Sequence, residues 1–164
     1  MKNKSITYLT HAALIAALYV VLTMASNAVG LASGVIQVRV SEALCILPCF
    51  FPAAIPGLFI GCLLSNVLAG GVIWDVVFGS AATLIGAVGT RMLRKHRFLA
   101  SLPPILSNMI IVPFVLRYAY HIEGALWYFM LTVGAGEVVS CGILGQILYT
   151  ALVNRKLVNN ISEE

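Results

Sequence analysis

Apolar residues run along this chain in long blocks separated by short polar breaks, and the block lengths set the elements. Tyr8 to Val29 holds 22 residues without an Asp, Glu, Lys or Arg. As a helix that block is about 33 Å long, enough for a hydrocarbon core of about 30 Å. Gly30 to Val40 reads as a loop, and Ser41 as the N-cap of the helix that follows. Glu42 to Gly70 is apolar but broken by Pro52, Pro56 and Gly57, so it is either one kinked span or a hairpin of two. Trp74 to Leu93, Phe98 to Tyr118 and Leu126 to Val153 complete the set.

Charge placement chooses between the two counts. Basic residues collect in three groups: Lys2 and Lys4; Arg91, Arg94, Lys95 and Arg97; Arg155 and Lys156. Cytoplasmic loops gather lysine and arginine. A single crossing from Glu42 to Gly70 gives five spans and sends the second and third groups outside. A hairpin turning at Phe51-Pro52-Ala53 gives six spans and keeps all three groups inside. The expectation is therefore an all-α, polytopic membrane protein: a six-helix transmembrane bundle with both termini cytoplasmic. Its short second helix, about Ser41 to Phe51, needs shelter from its neighbours.

Composition agrees. Of the 164 residues, 60% are hydrophobic and only 10% charged, where a soluble domain carries about 25% charge. One domain over 1–164, in the cell membrane, accounts for this, with no separate soluble unit. The first apolar block is too long for a signal peptide and lacks a cleavage site leading into a polar chain. The net charge of +4 sits near helix ends, where it suits membrane lipid; without a basic stripe interleaved with aromatics, no nucleic acid partner is expected.

The remaining polar groups carry the chemistry. Arg39, Glu42, Asp75, Arg117 and Glu123 fall at the outer ends of the expected helices, Asn66 lies toward the outer end of the third, and Asn108 and Glu137 lie inside the fifth and sixth. A carboxylate near the bilayer centre costs about 2.5–3.5 kcal/mol on insertion scales, so it faces a cavity or a partner. Polar residues thus gather in the outer half while the inner half is apolar. That pattern suits an outward-facing pocket for a small molecule better than a water-filled pore. Each residue also has a structural reading: an Arg39–Glu42 pair, a first-turn Asp75, an Arg117 reaching the headgroups, a solvated Glu123, an interhelical bond from Asn108. Glu137 resists one most, because Gly134-Ala135-Gly136 before it lets a ligand or another backbone approach.

Val35 to Val40 alternates like a strand and reads as an extended flap over the outer opening. Trp74, Trp127, Tyr118 and Tyr120 suit an interfacial belt; a tryptophan at that level can also stack on a flat ligand. Ala12, Ala13, Ala16 and Ala17 make two pairs four apart, a small-residue surface for close helix approach, internal or external; Gly57 and Gly61 form another such pair. Cys45, Cys49, Cys62 and Cys141 all lie in apolar blocks without a nearby histidine and read as buried filler, not a metal site. No phosphate loop, zinc-protease motif, nucleophile elbow or cysteine–histidine set is present, so neither an enzyme nor a resident cofactor is expected, and uphill uptake needs a partner or an ion gradient.

Val38-Arg39-Val40-Ser41-Glu42-Ala43-Leu44 followed by Leu47-Pro48 resembles the QueT family, as do the aspartate after Trp74, Asn108 and the Gly136-Glu137 pair. The likeness runs over essentially the whole chain. It implies the substrate-binding S component of an energy-coupling factor transporter. Such a component works with a transmembrane coupling protein and two cytoplasmic ATPases, and the substrate implied here is a queuosine precursor or queuine. The resemblance gives the alanine face of the first helix to the coupling protein, without choosing the pair. The chemistry of the base agrees. A 7-deazaguanine presents a ring N–H beside an exocyclic amine, which one carboxylate can accept, Glu137 first and Asp75 second. Asn108 can meet the ring carbonyl, and Glu42 or Asp75 an aminomethyl cation. Arg39, Asn66, Trp74 and Trp127 complete the expected substrate-binding set. The alternative is a stand-alone proton-coupled secondary carrier using Glu137 or Asp75.

Overall fold

A computed structural model describes residues 2–31, 36–155 and 158. Val35 of the expected flap and Lys156 of the third basic group lie outside the described residues. Within them the chain is helical, without a strand. Helix α1 (Lys2–Ala28) leads to a 3-10 segment (Val40–Cys49), then α2 (Ala54–Leu68) and α3 (Ile73–Met92). A single 3-10 turn (Leu99–Ser101) opens α4 (Leu102–Tyr118), and α5 (Leu126–Glu137) runs through a π-helical stretch (Val138–Leu144) into α6 (Gly145–Asn154). Among the described residues, four helical stretches are long and apolar enough to cross a membrane: Lys4–Ala28, Ile73–Met92, Leu99–Tyr118 and Leu126–Asn154. Large apolar side chains cover the exterior, Leu9, Val21 and Ile147 among them. The protein is an all-helical polytopic membrane bundle.

The broken stretch is a hairpin, with its turn between Cys49 and Ala54 as the prolines and charges indicated. Its first leg departs from expectation in kind. It is a 3-10 helix, whose rise of about 2.0 Å per residue carries it roughly 20 Å, further than an α-helix of equal length. Ser41 does not cap it. Arg39 holds that position with extended backbone, while the Ser41 hydroxyl is buried 2.8 Å from that of Thr23. Every residue from Ser41 to Cys49 is buried, which is the shelter such a short leg needs. At its far end the Arg91 guanidinium donates to the carbonyls of Pro48 and Cys49 at 3.1 and 2.9 Å, satisfying acceptors that the helix end leaves open.

Glycine seams bring the long helices together. A Cβ on Gly57 would lie 2.7 Å from the Ala12 carbonyl oxygen, and one on Gly61 2.8 Å from the Tyr19 Cβ. On the opposite side, Gly86 leaves room for Pro104, whose Cα would be 2.6 Å from an added Cβ. At the bundle end carrying Arg91 and Arg97, side-chain bonds tie the helices together. Arg97 donates to the Gln146 side-chain oxygen at 2.7 Å and to Thr150, and Gln146 returns a bond to Ser101 at 2.8 Å. Apolar side chains including Leu44, Leu47, Leu58 and Ile105 fill the middle. The opposite end, bearing Arg39, Asp75 and Tyr120, holds two polar cavities, whereas the space beside Arg97 is a cleft on the surface.

Candidate functional site

Two polar spaces lie one behind the other at that end. The outer one, the mouth, measures about 460 Å³ and is lined by Thr23, Asn27, Asn66, Tyr120 and the backbone of Gly70 and Gly71, among others. Behind it lies a chamber of only about 20 Å³, walled by Arg39, Glu42, Asp75, Asn108 and Glu137 together with Cys62 and Thr83. Gln37, Arg39 and Asp75 line both spaces. They form the partition.

Each wall residue is fixed by its element. Glu42 sits in the first turn of the 3-10 segment, only 1% exposed. The Tyr19 hydroxyl from α1 donates to its Oε1, and the Cys45 thiol one turn on donates to Oε2 at 3.0 Å. In place of the Arg39–Glu42 pair given as the structural alternative, the 3-10 turn aims the Glu42 carboxylate inward at α1. Glu137 ends α5, where the winding loosens into the π stretch, a local irregularity common at functional sites. Asn108 donates to Glu137 Oε1 at 3.0 Å, and the Cys141 thiol donates to Oε2 at 3.2 Å. Asp75 lies in the first turn of α3, accepting from the Tyr120 hydroxyl at 2.9 Å. Asn66 reaches from α2 to the Asp75 carbonyl at 3.4 Å. Burial by itself would lower the Arg39 guanidinium, but Tyr19, Cys62, Asp75 and Glu42 around it outweigh this and raise it. Arg39 is a fixed cation facing three carboxyl groups. At the surface, partial burial and the Asp75 carboxylate raise the Tyr120 phenol, which keeps it a donor.

Gly136 explains how the flap is held. A Cβ there would overlap the Gln37 carbonyl oxygen, so the close approach foreseen at Gly134-Ala135-Gly136 is made by the flap's own backbone. Val38 N–H donates to the Leu31 carbonyl at 3.0 Å, and Val40 N–H to the Ser26 hydroxyl at 3.1 Å. The described part of the flap is a strap tied at two points and seated on a glycine.

Of the eight expected substrate-binding residues, five meet at the chamber and Asn66 lines the mouth. The tryptophans do not join them. Trp74 is 57% exposed and Trp127 65%; Trp74 stacks on Phe78 and lines an apolar surface cleft with Phe114 and Tyr118. Both fit the interfacial belt, because the ring at the start of each helix projects outward to lipid. The alanines divide as well. Ala12 and Ala16 are buried against Gly57 and Gly61 and are unavailable to a partner, whereas Ala13 and Ala17 are exposed. Arg117 donates to the Gly124 carbonyl and Glu123 is exposed; neither enters the site.

Tyr19, Thr83, Tyr120 and the thiols of Cys45 and Cys141 were not anticipated. Spacing carried the signal for three of them. Tyr19 follows Ala12 by seven and Ala16 by three, the buried stripe of α1. Cys45 and Cys141 follow Glu42 and Glu137 by three and four, which places each thiol beside its carboxylate. Ligand atoms of Glu42, Cys45 and Cys141 lie within 4.8 Å of one another and are the one described group able to hold a metal; both thiols already serve the carboxylates.

Chemically, the walls of the chamber offer acceptors on Glu42, Asp75 and Glu137 and donors on Arg39 and Asn108. A family profile described as QueT transporter matches residues 9–154. The chain is 42% identical over 85 residues to the queuosine precursor transporter QueT of Lactococcus lactis subsp. cremoris (strain MG1363), a match covering 51% of this chain and 49% of that protein. The chain therefore spans about half the length of that curated relative. No solved structure matches.

Proposed function

The chain belongs to the QueT transporter family, and from that premise we propose that it is the substrate-binding subunit of an ATP-driven importer for a queuosine precursor or queuine. The observation that carries the reading is the convergence of Arg39, Glu42, Asp75, Asn108 and Glu137 on one chamber. A 7-deazaguanine offers an N–H and an amine to a carboxylate and a carbonyl to an amide or guanidinium. Glu137 takes the N–H and amine, exchanging its bond from Asn108 for bonds to the base. Asn108 and Arg39 answer the ring carbonyl. Asp75, at the mouth side, holds the cationic substituent of an aminomethyl precursor. The wrong base would leave buried groups unpaired, the strongest source of discrimination available to a site of this kind.

The same reading orients the bundle. Six passes with both termini in the cytoplasm put Arg91, Arg94, Lys95 and Arg97 inside and the mouth outside, in keeping with the distribution of positive charge. A transmembrane coupling protein with two cytoplasmic ATPases supplies the energy, and Ala13 and Ala17 are its contact. They share an exposed face of α1 with Ile6 and Val21 at helical spacing, smooth enough for a second helix to lie close.

Binding and uptake test the two halves separately. Calorimetry with 7-aminomethyl-7-deazaguanine should show affinity falling about 10- to 150-fold in Glu137→Gln, the worth of a hydrogen bond to a charged group; unchanged affinity in both Glu137→Gln and Asp75→Asn would remove the site. In proteoliposomes containing the coupling protein and ATPases, Ala13→Trp with Ala17→Trp should abolish ATP-dependent uptake while leaving binding intact. Uptake that persists without ATP and follows a proton gradient would instead make the protein a stand-alone secondary carrier.

A further inference from the structure

The two spaces differ in size by far more than their linings differ in chemistry. Sites for small molecules measure roughly 300–1,000 Å³. The mouth, at about 460 Å³, falls in that range; the chamber, at about 20 Å³, holds about one water. The partition belongs to both, since Gln37, Arg39 and Asp75 face the mouth on one side and the chamber on the other. Two of these three ride on the strap, which is anchored through Val38 and Val40 and rests on Gly136. The third, Asp75, is held on the fixed helix α3 by Tyr120.

We propose that the mouth is a binding station in its own right, where an amine-bearing 7-deazaguanine is first held against Asp75 before the Gln37–Arg39 strap lifts and admits it to the chamber. This rests on the function proposed above and adds an order of events. At the first station the ligand amine meets the Asp75 carboxylate, while amides of Asn27 and Asn66 and the Thr23 hydroxyl hydrogen-bond the rest. Asp75 keeps its partner through the transfer because it borders both spaces. The base then advances to Asn108 and Glu137 as the strap gives way, and the strap settles behind it. Gly136 is the element that lets the strap close flush; any side chain there holds it off.

Stopped-flow binding of 7-aminomethyl-7-deazaguanine to the full-length protein in lipid nanodiscs reads this directly. Wild type should show two phases, a fast one linear in ligand concentration and a slower one that saturates. Glu137→Gln and Asn108→Ala should keep the fast phase and lose the slow one, the retained phase doubling as evidence of folding. Asn27→Ala should weaken the fast step several-fold and leave the saturating rate unchanged. Gly136→Ala, which displaces the strap, should merge the phases and raise the dissociation rate at least about tenfold. A single wild-type phase linear in concentration overturns the two-station scheme while leaving the chamber assignment standing, as does loss of both phases together in Glu137→Gln with its thermal stability unchanged. Absence of any binding by wild type overturns the functional reading itself and this proposal with it.

Discussion

Replacing Gly61 with alanine should loosen the bundle and cost binding, although one methyl is all that changes. The added Cβ would lie 2.8 Å from the Tyr19 Cβ, 3.0 Å from the Ala16 carbonyl oxygen and 3.1 Å from the Ala16 Cα. Non-bonded carbons rest at about 3.5–4.0 Å, so α1 and α2 must part by roughly 1 Å. Two of the three obstacles are backbone, and no rotamer change removes them. Overpacking of this kind costs about 1–3 kcal/mol. Alanine also gains about 1 kcal/mol over glycine in helix propensity, so Gly142→Ala is the comparison to make, because its added Cβ meets nothing nearer than 3.7 Å. The difference between the two variants isolates the packing term at about 1–3 kcal/mol, or about 5- to 150-fold in the unfolding equilibrium. All four cysteines are buried, so a dye that fluoresces on reacting with thiols reports unfolding in detergent. Moving α1 also draws Tyr19 from Glu42, so base affinity should fall in Gly61→Ala and not in Gly142→Ala. Equal stability in the two variants would refute the account of the α1–α2 seam, and with it the assignment of Ala12 and Ala16 to internal packing.

Other substitutions probe the site. Tyr120→Phe removes the donor that orients Asp75; calorimetry should find affinity for an aminomethyl base at least about fivefold weaker, and the thiol dye a stability lower by up to about 1.5–3 kcal/mol, the worth of a hydrogen bond to a charged group. Trp74→Ala and Trp127→Ala should leave affinity within about twofold, since each ring contributes only belt contacts; a larger loss would return that tryptophan to the site. Arg39→Lys should weaken binding in the same assay although charge is kept, because an ammonium cannot reproduce the planar fork of donors.

The sequence was most informative where physics acts through composition. Block length and the three basic groups were enough to find a hairpin in Glu42 to Gly70, since prolines break helices and positive loops resist translocation. Polar residues stranded among apolar ones marked a cluster, and five of the eight named do line one chamber, because a buried carboxylate must find company. What depends on facing and winding was not legible. The 3-10 form of Val40–Cys49 is a matter of hydrogen-bond register, which an apolar run does not display. Ser41 matches the composition of a cap but is consumed by Thr23. Two alanine pairs with identical spacing become distinct only once Gly57 and Gly61 are known to face one of them. Tyr19 reads as an ordinary apolar residue until its hydroxyl is placed beside Glu42. The tryptophans show that lying at the level of a site is not the same as turning toward it.

The central claim is that the chamber behind the mouth holds a 7-deazaguanine by its edges, and a structure of the full chain bound to 7-aminomethyl-7-deazaguanine tests it most directly. The account expects the chamber to have widened, with the ring N–H and exocyclic amine within about 3.2 Å of the Glu137 carboxylate and the substituent amine at Asp75. A base lodged elsewhere, with Asn108 still bonded to Glu137 and the strap still seated on Gly136, would contradict it.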